Sequence, residues 1–265
     1  MSAPRFLNSA IVQVPERVVL RAGSWRRIAL GVRYGMVEHP EFGPVLIDTG
    51  YGPRVTRAAQ RSTALKLYNA VLRPRLVEDD LPLAALQRAG YAATDVRRIV
   101  VTHFHADHVA ALRDFPNARF IASGAAWQVI VQMRNGQRLH SGIFSELMPP
   151  DFMSRLLPIE TLPERSAPFG LGTGLDVWGD GSCLAVDLPG HAIGHFGLLW
   201  AQSGPPLLYA TDTTWLADAL DDRMPGGIAR IVYEDEAAMR KSAGLVAGFG
   251  RAGGRVILCH DRVSA

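Results

Sequence analysis

Ile99-Val100-Val101-Thr102-His103-Phe104-His105-Ala106-Asp107-His108 is an apolar, β-branched run that ends abruptly in three histidines and an aspartate. Neutral imidazole and ionised carboxylate are the nitrogen and oxygen donors that suit zinc and its neighbouring divalent ions. The pattern H-x-H-x-D-H places four such donors in one short segment, more than a single ion needs from one loop. In the strand-like part of the run, alternation with period two sends His103 and His105 to one face. Asp107 and His108 then reach a second position where the chain turns. The pattern predicts a two-metal site at a strand end. A polar loop with coincidental histidines is the plainer alternative.

Upstream of this run, Ala10 to Val19 and Arg27 to Glu38 are predicted as strands, separated by the turn-prone Arg21-Ala22-Gly23-Ser24. His39-Pro40-Glu41-Phe42-Gly43 forms a hairpin-like turn into Pro44-Val45-Leu46-Ile47-Asp48-Thr49-Gly50, an apolar strand that ends in an acid and a glycine. Asp48 at that junction either orients a metal-bound imidazole from behind or caps the following turn. From about 53 to 90 the character changes. Leu65, Tyr68, Val71 and Leu72 stand at helical spacing, followed by Leu83, Leu86 and a stop at Gly90, so two helices are predicted.

Downstream, Val109 to Leu112 continue as a helix and Ala118 to Ala122 as a strand, so β and α elements alternate. A helix-rich stretch from about 125 to 157 is a candidate lid over the metals. His191 follows the strand-like Cys183 to Leu188 and the turn residues Pro189 and Gly190, with His195 placed to support it from behind. Leu207 to Thr211 lead into Asp212, and Val256 to Cys259 lead into His260, in the same manner. Four strands therefore end in ligand types, and neighbouring strands of a sheet bring such ends together.

This set, with Leu46-Ile47-Asp48-Thr49-Gly50 upstream, resembles the metallo-β-lactamase superfamily of hydrolases over nearly the whole chain. The resemblance implies an α/β fold, an αβ/βα sandwich of two mixed sheets flanked by helices. It also implies one domain spanning 1–265, with helical insertions near 53–90 and 125–157. His103, His105 and His191 would then hold one zinc ion, Asp107, His108 and His260 a second, and Asp212 would bridge them with a hydroxide. Two such ions activate water and polarise the substrate, so no serine or cysteine nucleophile is needed. Cys183 and Cys259 are accordingly expected to be small buried residues. Asp107 is assigned a further role in moving a proton to the leaving group. Manganese, iron or cobalt could stand in for zinc.

Within the superfamily the residues exclude several branches. The flavin-linked di-iron oxygen reductases are alike in having glutamate where this chain has His105. The best-known zinc β-lactamases have cysteine, or lack the ligand, where it has Asp212. Glyoxalase II shares the ligand set, but His260 falls only a few residues before Ala265, leaving no room for that family's C-terminal domain. What remains resembles the quorum-quenching N-acyl-homoserine lactone lactonases. These are similar to one another in a tyrosine three residues after the bridging aspartate, where this chain has Trp215, a substrate-binding candidate whose indole donates one hydrogen bond. The expected function is hydrolysis of a lactone or related ester, an N-acyl-homoserine lactone among them. Thioester or phosphodiester hydrolysis is the alternative, with a non-catalytic metal-binding protein behind it.

Composition agrees with a folded chain: 265 residues, 48% hydrophobic, with a net charge of +3. Lys66 and Lys241 are the only lysines. The arginines are scattered among acids rather than gathered in the stripe that nucleic-acid binding requires. Two cysteines are too few for a disulfide framework. Met1 to Leu20 has no unbroken apolar stretch, and every apolar run is interrupted before it reaches the length of a bilayer span. The expectations are cytoplasmic residence, a small-molecule substrate, no nucleic-acid or membrane partner, and a homodimer as an open form of assembly.

Overall fold

The computed structural model of the protein describes residues 4–202, 204–220, 223–224 and 233–263. Its strands are β1 (Arg5–Pro15), β2 (Arg27–His39), β3 (Gly43–Ile47), β4 (Arg75–Leu76), β5 (Arg98–Val100), β6 (Arg119–Ala122), β7 (Leu156–Pro158), β8 (Glu164–Ala167), β9 (Gly172–Asp176), β10 (Leu184–Asp187), β11 (Phe196–Trp200), β12 (Leu207–Thr211) and β13 (Arg255–Leu258). The helices are α1 (Glu16–Val19), α2 (Pro53–Thr56), α3 (Thr63–Leu72), α4 (Pro82–Arg88), α5 (Ala106–Val109), α6 (Gly124–Gln132), α7 (Asn135–His140), α8 (Phe152–Arg155) and α9 (Glu236–Arg251).

Among the described residues the strands form two mixed sheets. The first, of seven strands, runs β4-β1-β2-β3-β5-β6-β7. Its β1 to β3 are joined antiparallel, whereas β3, β5, β6 and β7 are parallel. The second, of six strands, runs β13-β12-β11-β10-β9-β8 and is antiparallel except for the parallel pair β12 and β13. Period-two alternation divides the second sheet's side chains between two cores. Ala185, Leu198 and Tyr209 face inward with Leu46, Ile99 and Phe120 of the first sheet. Leu184, Leu199 and Leu208 face outward and are covered by Val246 and Phe249 of α9. That helix is amphipathic, burying Met239, Ala243, Val246 and Ala247 at intervals of three and four. Asp235 caps it by accepting from the backbone N–H groups of Ala237 and Ala238 at 2.9 and 3.0 Å.

Two readings from sequence need correction. The first strand starts earlier than Ala10 and ends at Pro15, because Glu16–Val19 turn into a short helix. The Glu16 carboxylate accepts from Ser24 N and Oγ, both at 2.9 Å, and folds the chain back on itself. β5 ends at Val100, so His103 and His105 lie in the loop beyond it and strand alternation does not place them. The regions 53–90 and 125–157 are largely helical as expected, with the short β4 added to the edge of β1.

The site lies where strand ends from both sheets meet. Ile47 of β3 pairs with Val100 of β5, so the segments leaving these parallel strands start side by side. On the other sheet Thr211 of β12 pairs with Leu258 of β13. The Phe196 N–H donates to Thr102 O at 3.4 Å and the Arg33 N–H donates to Cys259 O at 3.1 Å, tying the two sets of loops together. The strand ends thus converge across two facing sheets, and not only between neighbouring strands of one sheet as expected.

Candidate metal centre

Among the described residues, two groups of donors, all buried except the half-buried His105, share Asp212. His103, His105, His191 and Asp212 form one group, and His108, Asp212, Cys259 and His260 form the other, with the donor atoms of each group all within 4.8 Å of one another. In the first, Asp212 Oδ2 lies 3.3 Å from His191 Nε2 and 3.7 Å from His103 Nε2. His191 Nε2 lies 3.0 Å from His105 Nδ1. In the second, the same Asp212 oxygen lies 3.3 Å from His108 Nε2 and 3.6 Å from His260 Nε2. Asp107 Oδ2 adjoins this group, 3.1 Å from His260 Nε2 and 3.9 Å from His108 Nε2. All seven residues that the sequence singled out as ligands therefore stand at one locus. Cys259 was not among them. The signal for it was its place directly before His260, at the end of a strand aimed at the site.

Outer contacts fix the rings. His108 Nδ1 donates to Asp48 Oδ2 at 2.8 Å, and Asp48 also accepts from Thr102 N and Oγ1, each at 2.8 Å. Asp48 thus contacts an imidazole of the cluster directly. His260 Nδ1 donates to Gly31 O at 2.9 Å, so its Nε2 faces the cluster. His195 Nδ1 donates to Leu188 O at 2.6 Å. Its Nε2 then accepts from the Thr211 hydroxyl and, at 3.3 Å, from Asp212 N, holding the segment that carries Asp212. Asp48 and Thr211 both adopt left-handed backbone conformations, with φ of 58° and 48°. Such strain in residues other than glycine is tolerated where the surroundings over-determine it. Gly190, with φ of 118°, is required for packing: a Cβ there would sit 2.1 Å from Met239 N of α9. Its carbonyl also accepts from Glu234 N and Asp235 N, both at 3.0 Å, which seats the loop carrying His191.

The electrostatics split the histidines into two kinds. Burial, reinforced by neighbouring imidazoles, pushes His103 well below its ordinary value and His105 and His195 down to about 3. These rings are neutral donors. Burial acts in the same direction on His108 and His260 but is outweighed by Cys259 and the surrounding carboxylates, which raise both well above the usual range. Burial would raise Asp212 and Asp107, yet His260 and His108 dominate and hold both carboxyls below their ordinary values.

These residues fit divalent metal. His103 Nε2, His191 Nδ1 and Asp212 Oδ1 are buried without a hydrogen-bond partner among the described residues. A buried polar atom left unpaired costs about 1–3 kcal/mol, which ligation offsets for an atom in a donor group. The closely facing lone pairs of neutral imidazoles and the carboxylate have a common partner only in a cation.

A cavity of about 770 Å³ opens beside the cluster. His105, Asp107, His191, Asp212 and His260 line one end, with Trp215, whose ring centroid is 5.9 Å from that of His260. The rest is mainly apolar: Val12 and Val14 of β1, Leu67, Tyr68 and Val71 of α3, and Met133, Leu139 and Ile143 from the 125–157 region. Trp215 lines the cavity, and its buried indole Nε1 has no hydrogen-bond partner among the described residues. The 125–157 stretch forms part of the wall. No lysine or arginine is among the described residues that line it.

The metallo-beta-lactamase superfamily model matches residues 30–245, and the chain belongs to that superfamily. A relative from Mycobacterium bovis, named as a probable metallo-hydrolase, is 29% identical over 190 residues, which cover 68% of this chain and 56% of that protein. This chain thus spans little more than half the length of that relative. The N-acyl homoserine lactonase AttM of Rhizobium johnstonii is 26% identical over 249 residues, covering 92% of this chain and 87% of the lactonase. A solved structure of a B. thuringiensis AiiA variant, with N-decanoyl-L-homoserine bound at its active site, superposes with a TM-score of 0.71 at 19% identity. That match covers 97% of this chain and 92% of the other. Among the described residues, no helix is long and apolar enough to cross a membrane.

Proposed function

We propose that the protein is a dinuclear-zinc hydrolase acting on a neutral lactone or related ester with an aliphatic side chain. The observation that carries this reading is the shared carboxylate: Asp212 belongs to both donor groups, and both open on one largely apolar cavity. When bound, the ions supply an acidified water at neutral pH and polarise the carbonyl that it attacks.

The chain's own residues do the rest. His103, His105 and His191 would hold one ion and Asp107, His108 and His260 the other, with Asp212 shared between the two donor groups. Asp107, which lines the cavity beside the donor groups, is the carboxylate placed to pass a proton toward the leaving alkoxide. Trp215 offers its unpaired N–H to a substrate oxygen. The apolar walls from β1, α3 and the 125–157 region take the aliphatic part and exclude water. Lactonase relatives such as AttM support the substrate class, and the cavity lining supports an uncharged ester over a phosphodiester, since an anionic substrate calls for cationic side chains.

The test is turnover of the zinc-loaded protein on matched panels of acyl-homoserine lactones, simple aryl esters, thioesters and phosphodiesters. Lactone kcat/KM should rise with acyl length, by up to about fourfold per added methylene, since burying each is worth about 0.8 kcal/mol. Activity confined to phosphodiesters, or indifference to acyl length, would contradict the reading.

A further inference from the structure

Cys259 lies among the donors of the second group. Its Sγ is 3.7 Å from His108 Nε2, and with His108, Asp212 and His260 it completes a buried set from which Asp107 is absent. Zinc bonds of about 2.0–2.1 Å to nitrogen and 2.3 Å to sulfur, at a tetrahedral angle, separate two donors by about 3.6 Å. The observed 3.7 Å is therefore the spacing of two ligands on one ion. The pairs that Asp212 Oδ2 makes with His108 Nε2 and His260 Nε2, at 3.3 and 3.6 Å, fit the same geometry. Asp212, 1% exposed and a member of this set, turns Oδ2 toward His108 and His260, and its other oxygen, Oδ1, has no hydrogen-bond partner among the described residues.

We infer that Cys259 is a ligand of the second metal position, binding as thiolate beside His108, His260 and Asp212 and taking there the place given above to Asp107, which keeps its position beside the cavity. The inference rests on the two-metal reading above. The thiol of the metal-free chain donates to Arg33 O at 3.4 Å; on ligation the S–H bond breaks, sulfur keeps the electron pair and the proton goes to water. The Arg33 carbonyl still accepts from the Tyr209 hydroxyl at 3.3 Å, so it is not left unpaired. A sulfur donor makes this position selective for zinc, cadmium or cobalt over manganese, which prefers oxygen.

Titration of the full-length, metal-stripped chain with cobalt(II) tests this without reference to turnover. Visible d–d absorption reports cobalt uptake, and near-ultraviolet thiolate-to-cobalt charge transfer reports sulfur ligation. The expected result is charge transfer in the wild type and in Cys183→Ser, whose thiol is buried elsewhere, and its loss in Cys259→Ser with cobalt uptake retained. Cys259→Ala gives the same comparison should serine impair folding, and the wild-type spectrum needs no variant. Visible bands without charge transfer in the wild type, or charge transfer that survives both Cys259 substitutions, would overturn the assignment while leaving the two-metal reading intact. Failure of the folded wild type to take up cobalt at all would overturn both.

Discussion

Asp48 Oδ2 accepts a 2.8 Å hydrogen bond from His108 Nδ1, joining the end of β3 to the imidazole that α5, reached by the loop after β5, presents to the second donor group. The same carboxylate accepts from Thr102 N and Oγ1 and so clamps the start of that loop. Partners of this kind fix the tautomer and orientation of a ligating ring, and their loss commonly lowers metal affinity by about 10–100-fold. Asp48→Asn preserves shape and tolerates the left-handed backbone but removes the charge. It should weaken zinc binding at one of two positions by that factor, measured by competition with a chromophoric chelator. Undiminished affinity at both positions would show that Asp48 serves only the loop.

Asp212→Ala and His191→Ala should abolish turnover while leaving the fold in place, because each removes a donor from the reacting centre and neither fills the core between the sheets. Losses of at least 100-fold in kcat, beside an unchanged circular dichroism spectrum, are expected. Asp212→Ala should in addition lower the metal content, since that residue alone belongs to both groups. Unaltered turnover in either variant would mean that the ligand has been misassigned.

Trp215 tests the substrate reading more narrowly. Its Nε1 is buried without a hydrogen-bond partner among the described residues, and its ring lies near His260 at the donor-lined end of the cavity. Trp215→Phe keeps an aromatic ring and deletes the donor. If a lactone oxygen takes that hydrogen bond, kcat/KM should drop about tenfold, the value of one hydrogen bond of about 1.4 kcal/mol. The melting temperature should hold or rise, since an unpaired polar atom is removed. An unchanged kcat/KM would leave Trp215 as wall packing only.

Tyr51 and Tyr68 share a hydroxyl–hydroxyl hydrogen bond of 2.7 Å between the loop after β3 and α3. Burial comes first among the causes that raise both phenols above their ordinary values, so they act here as neutral hydrogen-bonding groups. Tyr68→Phe would strand the fully buried Tyr51 hydroxyl and should cost about 1–3 kcal/mol in denaturant unfolding. A cost near zero would indicate that the hydroxyl finds another partner.

The candidate ligands stood out in the sequence because most lie at or just beyond the end of an apolar run, and strand ends bearing donors are conspicuous. The reason first offered for their convergence was only partly right. His103 and His105 are brought together by a loop that Asp48 clamps, Asp107 and His108 follow in α5, and His191, Asp212 and His260 arrive from the facing sheet, a relationship that strand periodicity cannot express. Asp48 itself left two roles open, since an acid at a strand end can cap a turn as readily as orient an imidazole; only the 2.8 Å contact distinguishes them. Cys259 was read as a small core residue from its type. Its burial is as expected, but its proximity to His108 depends on β13 lying parallel to β12, which local pattern does not encode. Glu16–Val19 was misread because Val18 and Val19 are β-formers, whereas Pro15 and the Glu16–Ser24 contacts end the strand.

The central claim is that two divalent ions share Asp212. Elemental analysis of protein expressed with ample zinc and freed of loosely bound metal tests it most directly. The account predicts close to two zinc ions per chain, falling to one or fewer in Asp212→Ala; a folded wild-type protein that never exceeds one ion per chain would contradict it.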